Sequence, residues 1–239
     1  MIPLTRKLTV EFIGTFFLMF TVGMAIATSA SLAPLAIGSV LMVMVFAGGH
    51  ISGGHFNPAV STAVLVRGKM TGNEYASYIV TQTIAAIVAG LLIVALDYDP
   101  ASETAVAGTG KMLIVEFLFT FALAYVVLNV ATAKDTDGNS FYGLAIGFTL
   151  AVGVLAGGAV SGGAFNPAVA FGASVLGMFS WSNIWIYLLA ELVGGAAAAG
   201  AFLLTQPGEM AAADAGPAPS GRKVAPGATP PRGVSPTTS

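Results

Sequence analysis

A nine-residue segment occurs twice in this chain and constrains its fold more than any other feature. Residues 52–60 read SGGHFNPAV and residues 161–169 read SGGAFNPAV, so eight of nine positions agree. Each copy ends an apolar run with a glycine pair, then places Asn at an N-cap and Pro at the first helical position. One copy fits a loop before an ordinary helix equally well. Two copies inside hydrophobic stretches indicate a pore or binding site, because non-helical backbone at membrane depth must be buried in protein or line a wet cavity.

The composition places the chain in a membrane. Of the 239 residues, 56% are hydrophobic and 8% are charged, which is too little charge to cover a soluble globule of this size. The net charge of −2 and the lack of basic runs argue against nucleic acid as a partner. The absence of cysteine excludes disulfides and cysteine metal sites. We therefore expect an all-α integral membrane protein whose surroundings are the lipid bilayer.

Six hydrophobic segments are long enough to cross or nearly cross a bilayer, and two shorter ones follow the repeated motifs. The shorter segments, residues 57–66 and 166–176, cover about half a membrane thickness at ~1.5 Å per residue and are predicted to be re-entrant half-helices. The six predicted transmembrane helices are residues 8–29, 35–51, 74–96, 111–132, 141–158 and 182–204.

The two halves of the chain also repeat outside the motifs. Residues 35–38 and 144–147 both read LAIG, and Tyr78 and Gln82 match Tyr187 and Glu191, all at an offset of 109 residues. We predict a channel domain over residues 1–206, with repeat one at about 5–97 and repeat two at about 110–205. Each repeat has three spans, an odd number, so the second copy enters the membrane inverted.

The distribution of positive charge predicts the orientation. With both termini in the cytoplasm, eight of the nine Lys and Arg residues lie inside and only Lys111 lies outside, as the positive-inside rule requires. We expect a multi-pass protein of the plasma membrane with an acidic external loop at 96–110. Residues 207–239 hold seven of the twelve prolines, which predicts a disordered cytoplasmic tail, with a partner-binding segment as the alternative.

The paired Asn-Pro-Ala boxes resemble those of the aquaporin and glycerol-facilitator family, the major intrinsic proteins, and the resemblance covers about residues 5–205. It implies an aquaporin-like fold, a homotetramer with one pore per subunit, no cofactor, and passage of water and small uncharged solutes such as glycerol. It also implies that the asparagines bind and orient permeating water. The boxes are Asn57, Pro58 and Ala59, and Asn166, Pro167 and Ala168.

Elementary electrostatics points the same way as the resemblance. Two half-helix N-termini aimed at one point concentrate roughly half a positive charge each at the membrane centre, which excludes cations and protons. Asn57 and Asn166 add amide donors for a neutral molecule. Each asparagine alternatively caps only its own helix, and the two roles are compatible.

Glu11 and Glu116 are single carboxylates inside predicted spans. Such residues are candidates for a proton relay. Their symmetric placement favours a structural role, in which each accepts hydrogen bonds from loop amides that otherwise lack partners. Gln82 and Glu191 form a second symmetric pair, although Glu191 stands where relatives usually carry proline, and its role is open.

The chain departs from the family at the external constriction. The family's second box is normally followed by arginine, whereas this chain has Val169 and then Ala170, so it matches neither water channels nor glycerol facilitators fully. Counting from the boxes places the other three constriction positions at Ile37, Val154 and Gly163. None of the four supplies a cation, an imidazole or an aromatic ring, which predicts a wider and less polar opening.

Other chemistries have little support in the sequence. His50 and His55 flank the first motif without clustered carboxylates or cysteines, so we predict no metal site, and gating by histidine protonation is the less favoured alternative to a hydrogen-bonded loop histidine. No nucleophile, base and oxyanion set is recognisable, so we predict a channel and not an enzyme. The alternative function is a secondary transporter, since broken helices in inverted repeats also occur there.

Overall fold

The computed structural model describes residues 2–98 and 107–209, and within these ranges all regular secondary structure is helical. Six helices are long and apolar enough to span a membrane. The eight α-helices are α1 Leu4–Ala27, α2 Ala33–Ser52, α3 Pro58–Val66, α4 Gly72–Ala95, α5 Thr109–Ala131, α6 Tyr142–Ser161, α7 Pro167–Val175 and α8 Ile184–Thr205. Three short 3-10 helices lie at Lys134–Thr136, Trp181–Asn183 and Pro207–Glu209.

The predicted fold class is confirmed. Every predicted end of a spanning helix falls within four residues of the observed end, and the half-helices α3 and α7 agree within one residue. The 3-10 helix Pro207–Glu209 continues the packed structure past the predicted start of the tail at 207. Residues 210–239 and most of the predicted acidic loop lie outside the described residues.

Local sequence explains where the half-helices begin. The Asn57 side chain accepts a hydrogen bond from Ala59 N at 2.8 Å, and Asn166 accepts one from Ala168 N at 3.0 Å. The proline after each asparagine occupies the first helical position, where its missing N–H costs nothing. The capping box at the start of α4 gives that helix an equally definite beginning.

The two repeats, α1–α4 and α5–α8, meet along α2 and α6. Gly38 of α2 and Gly147 of α6 touch, and a Cβ on either would meet the carbonyl oxygen of the other. Because these glycines are related by the 109-residue offset, the pseudo-twofold axis passes between them. Each half-helix then packs on the last helix of the other repeat, α3 on α8 and α7 on α4. Small residues allow this close approach of backbones in lipid, where packing drives association.

An ion pair joins the end of α8 to the end of α3. The Arg67 guanidinium is fully buried, contacts the Phe202 ring at 4.7 Å and donates to Glu209 at 2.6 Å. Lys134 N donates to the other Glu209 oxygen at 2.6 Å. Burial alone would raise the pKa of Glu209, but the Lys134 amide and the Arg67 guanidinium outweigh it and hold the pKa below its usual value.

We predict that Glu209→Gln lowers the unfolding temperature in detergent at neutral pH, because a buried guanidinium without its counter-ion costs about 3 kcal/mol. The carboxylate of wild type stabilises the fold above the usual glutamate pKa, and this stabilisation is lost as pH falls through the lowered pKa. The difference between variant and wild type should therefore shrink in acid.

The control is Glu74→Gln, which breaks the more exposed Lys7–Glu74 pair. An exposed pair contributes at most about 1 kcal/mol, so this variant should unfold close to wild type. Equal effects of both substitutions would contradict a special role for the Arg67–Glu209 pair.

Candidate functional site

The two motif loops fold alike and share an unusual backbone. Gly53 and Gly54 have φ of 92° and 63°, and Gly162 and Gly163 have φ of 95° and 69°. This left-handed region is open to glycine and strained for other residues. Phe56 and Phe165, just before the asparagines, nevertheless both have φ of 48°. Such strain persists only where surrounding contacts hold the backbone, and it is typical of functional loops.

Glu11 holds the first loop. Its Oε1 accepts hydrogen bonds from Ser52 Oγ at 2.7 Å and His55 N at 3.0 Å. Its Oε2 accepts from Phe56 N at 2.7 Å and Gln82 Nε2 at 2.9 Å. The carboxylate is fully buried, so all of its acceptor capacity is used on the loop and on α4.

Glu116 occupies the corresponding place beside the second loop. Its two oxygens accept from Ala164 N at 3.2 Å and Phe165 N at 2.8 Å, and it is also fully buried. Both carboxylates therefore lie directly behind the loops and away from solvent.

Tyr78 and Tyr187 complete the support, and the sequence reasoning did not identify their role. Tyr78 Oη donates to Ser52 O at 2.7 Å, and Tyr187 Oη donates to Ser161 O at 2.6 Å. Each tyrosine therefore provides a hydrogen-bond donor for the last carbonyl of the helix before the loop, α2 or α6. Their match at the 109-residue offset was the available signal.

The two loops are joined to each other through the asparagines. Asn57 Nδ2 donates to Phe165 O at 2.8 Å, and Asn166 Nδ2 donates to Phe56 O at 2.9 Å. An amide group has two N–H donors, so each asparagine keeps one after this exchange. Capping and donation thus use different atoms of the same side chain.

A narrow cavity runs past these asparagines and contains about 40 Å³ of space for the centres of water-sized molecules. That is enough for a few waters. The four predicted constriction residues, Ile37, Val154, Gly163 and Val169, all line it. The structure therefore brings together both asparagines and the whole predicted ring.

The remaining box residues do not line this cavity. Pro58, Ala59, Pro167 and Ala168 are buried in packing contacts, and the Ala59 carbonyl meets Gly195 of α8 so closely that a Cβ there would clash. Of the six box residues that the sequence analysis predicts to line the pore, Asn57 and Asn166 line this cavity. Ala59 lies on the side of α3 that packs on α8 of the other repeat.

The sequence reasoning also missed an aromatic residue in the wall. Phe179 lines the cavity and stacks on Tyr187 with ring centroids 4.6 Å apart. Its ring lies where a Cβ on Gly162 would sit, so the glycine opens the space for it. The four-residue ring predicted from the boxes carries no aromatic group, but the cavity does.

The two histidines differ in environment. His50 is exposed, whereas His55 is buried, lies 3.0 Å from Ser61 Oγ through Nδ1, and packs on Tyr78. His55 lines both the narrow cavity and a wider recess of about 270 Å³ that also includes Lys7, Lys69 and Glu74. Among residues 2–98 and 107–209, no group of three or more His, Asp or Glu side chains could hold a metal ion.

The family follows from comparison with known proteins. Residues 1–202 match the family model described as "Major intrinsic protein". The chain belongs to the major intrinsic protein family. This membership confirms the resemblance, and at the level of the family it confirms a channel for water and small solutes and not an enzyme.

Individual relatives in the family are similar over most of their length. The "Glycerol uptake facilitator protein-like 6" of Lactiplantibacillus plantarum is 39% identical over 206 residues, which cover 81% of this chain and 95% of that protein. Nodulin-26 of Glycine max is 38% identical over 211 residues, covering 83% and 77%. The aquaglyceroporin structure from Plasmodium falciparum has the same fold, with a TM-score of 0.74, 21% identity, and coverage of 87% of this chain and 100% of that one.

We predict that Glu11→Leu or Glu116→Leu reduces yield and assembly more than selectivity. Each substitution leaves buried loop amides without acceptors, at a cost of about 1 to 3 kcal/mol per group. Expression, unfolding temperature and water flux per folded protein should be measured. Glu11→Gln is the control, because it keeps one acceptor oxygen for the loop. A stable Glu11→Leu protein with normal flux and altered pH dependence would indicate a proton relay instead.

Proposed function

We propose that this protein is a passive channel that passes water and small uncharged solutes such as glycerol and excludes ions and protons. The observation that carries the proposal is the pair of hydrogen bonds that joins the two loops, from Asn57 to Phe165 O and from Asn166 to Phe56 O, at a cavity where both half-helices begin. The two asparagines present their remaining N–H donors to a passing molecule. Membership of the major intrinsic protein family and the names of its relatives support the same function.

The electrostatics of the cavity supports a channel over the alternative of a coupled transporter. The N-termini of α3 and α7 place roughly half a positive charge each beside the asparagines. Among the described residues, those lining the cavity include no Asp, Glu, Lys or Arg. A cation- or proton-coupled transporter needs ionisable or cation-coordinating groups at this depth, and the dipoles have the wrong sign for a cation.

The apolar lining of the cavity on the α7 side of the asparagines, called here the α7 half, supports the proposal that solutes other than water pass. Ile37, Val154, Gly163 and Val169 leave this part of the cavity without a fixed cation. Steric exclusion is then set by apolar side chains, including the Phe179 ring. An apolar wall replaces few of the hydrogen bonds of a hydrated solute, so polar solutes gain less than their size alone suggests.

We further propose a homotetramer in the plasma membrane with both termini in the cytoplasm. One side of the bundle carries the positive residues Arg6, Lys7, Arg67, Lys69 and Lys134, close to the contacts of Lys7 with Glu74 and of Arg67 with Thr132. Lys111 lies in the first turn of α5, at the opposite end of that helix from Thr132. This distribution fits the positive-inside rule. The tetramer, the assignment of Glu11 and Glu116 as structural groups, and the division into a channel domain and a tail rest on the family and on the geometry described above.

We predict that permeation is passive. In liposomes with an imposed pH or sodium gradient, glycerol and urea should equilibrate without accumulating, because no Asp, Glu, Lys or Arg lines the cavity in the described part of the chain. Protein-free liposomes supply the background rate. Uphill accumulation of either solute would contradict the channel.

We predict that Val169→Arg lowers glycerol flux about tenfold relative to water flux, equivalent to about 1.4 kcal/mol in barrier height. The long cationic side chain fills part of the ring and adds a fixed charge to it. Osmotic shrinkage of liposomes gives both rates in parallel. Val169→Leu is the control, since it adds bulk without charge. If wild type passes only water and neither substitution changes the ratio, the constriction lies elsewhere.

A further inference from the structure

Glu191 breaks the hydrogen-bond symmetry of the two repeats. Its counterpart at the 109-residue offset, Gln82, donates through Nε2 to Glu11 at 2.9 Å and to Ser61 Oγ at 3.1 Å. Glu191 is fully buried on α8, and neither of its oxygens forms a hydrogen bond with a protein donor. The backbone N–H of Asn166 lies near the Glu191 carboxyl but forms no hydrogen bond with it.

Because α8 packs on α5 as α4 packs on α1, the repeat symmetry places the Glu191 carboxyl beside Glu116, as Gln82 lies beside Glu11. Two ionised carboxylates in contact, both fully buried, repel each other and cannot both keep their charge without a cation between them. One proton shared by the pair removes the repulsion and turns the contact into a charge-assisted hydrogen bond.

No protein cation takes the place of that proton among the described residues. The elements packed on α8 are α3, α5, α7 and two 3-10 helices, and α3 and α7 carry no titratable side chain. Lys111 lies in the first turn of α5, more than a turn before Glu116, and is exposed, and Arg67 pairs with Glu209. Tyr125 is directed to Thr205, and Tyr187 donates to Ser161 O.

We propose that Glu191 is a carboxylic acid whose proton donates to Glu116, as the Gln82 amide donates to Glu11. Glu191 is then a positioning residue: it orients the carboxylate that holds Ala164 N and Phe165 N, and through them the loop that carries Asn166. The proposal does not depend on which solute the channel passes.

A second difference between the repeats explains why an acid suits this position. Gln82 has two N–H donors, and Ser61 provides an acceptor beside Glu11. The residue equivalent to Ser61 is Ala170, which offers no acceptor, so a glutamine at 191 would bury an N–H without a partner. A protonated glutamate has a single donor, which matches the single acceptor that is present.

The test compares wild type with the double substitution Glu191→Gln and Ala170→Ser, which rebuilds the repeat-one network in repeat two without a titratable proton. Infrared spectra of the purified protein should show the carbonyl stretch of a buried carboxylic acid in wild type at pH values well above the range where exposed glutamates ionise. The double variant should lack this band. Glu74→Gln, at a partly exposed carboxylate, should retain it.

The unfolding temperature as a function of pH provides the second measurement. The native protein keeps a proton that the unfolded chain releases above about pH 4, so it binds more protons, and wild-type stability falls as pH rises. The unfolding equilibrium of wild type should shift toward the unfolded state by up to about tenfold per pH unit relative to the double variant. Glu191→Leu removes the donor altogether and should unfold at a lower temperature than either protein.

Three results would overturn the proposal: no acid band in wild type, a band that survives in the double variant, or a Glu191→Leu protein as stable as the double variant. If the double variant fails to assemble, Glu191→Gln alone gives the same spectral comparison. A wild-type protein without the band that still conducts water would refute the shared proton and leave the proposed channel function intact.

Discussion

Backbone amides that leave a helix inside a membrane need partners, and the two motif loops depend on how this requirement is met. Phe56 N and Phe165 N, at the strained position before each asparagine, donate to buried carboxylates at 2.7 and 2.8 Å. The carbonyls of the same two phenylalanines accept from the asparagine of the opposite loop. An unpaired loop amide costs about 1 to 3 kcal/mol, and Glu11 and Glu116 supply the acceptors that avoid this cost.

The phenylalanine rings show how the same loop is anchored by different residues in each half. The Phe56 ring lies where a Cβ on Gly14 of α1 would sit, whereas the Phe165 ring packs against Gly153 of α6 and against Phe119. Glu11 and Glu116 are 105 residues apart, and at that offset Phe119 stands at the position equivalent to Gly14. At the offset of 109, Met44 stands at the position equivalent to Gly153. In the first repeat the glycine that makes room for the ring is on α1, and in the second repeat it is on α6. Both arrangements give close packing.

The sequence predicts features that depend on local signals, and it does not predict contacts that depend on residues far apart in the chain. The duplicated motif and the hydrophobic lengths locate all eight helices, because capping and membrane thickness act locally. Counting from the boxes along the family's pattern also identifies Ile37, Val154, Gly163 and Val169, and all four line the cavity. Phe179 cannot be predicted in this way, because its ring lines the cavity only where Gly162 has no Cβ. The Arg67–Glu209 pair joins residues 142 positions apart, and no local pattern marks it.

The hydrogen bonds that the α7 half can offer to a passing molecule depend on which loop amides already have partners. Gly162 N donates to Gly158 O, Gly163 N to Ser161 Oγ and Ala164 N to Glu116, so every amide of this loop segment is committed. The polar groups that these residues have left for the cavity are carbonyl oxygens, which only accept.

An arginine at position 169 would supply donors in that half, but Val169 supplies none. A molecule passing this part of the wall can replace lost hydration only by donating hydrogen bonds. Water and alcohols do so. Aprotic acceptors and anions meet carbonyl oxygens and apolar side chains, and they keep the full cost of desolvation until they reach the asparagine amides.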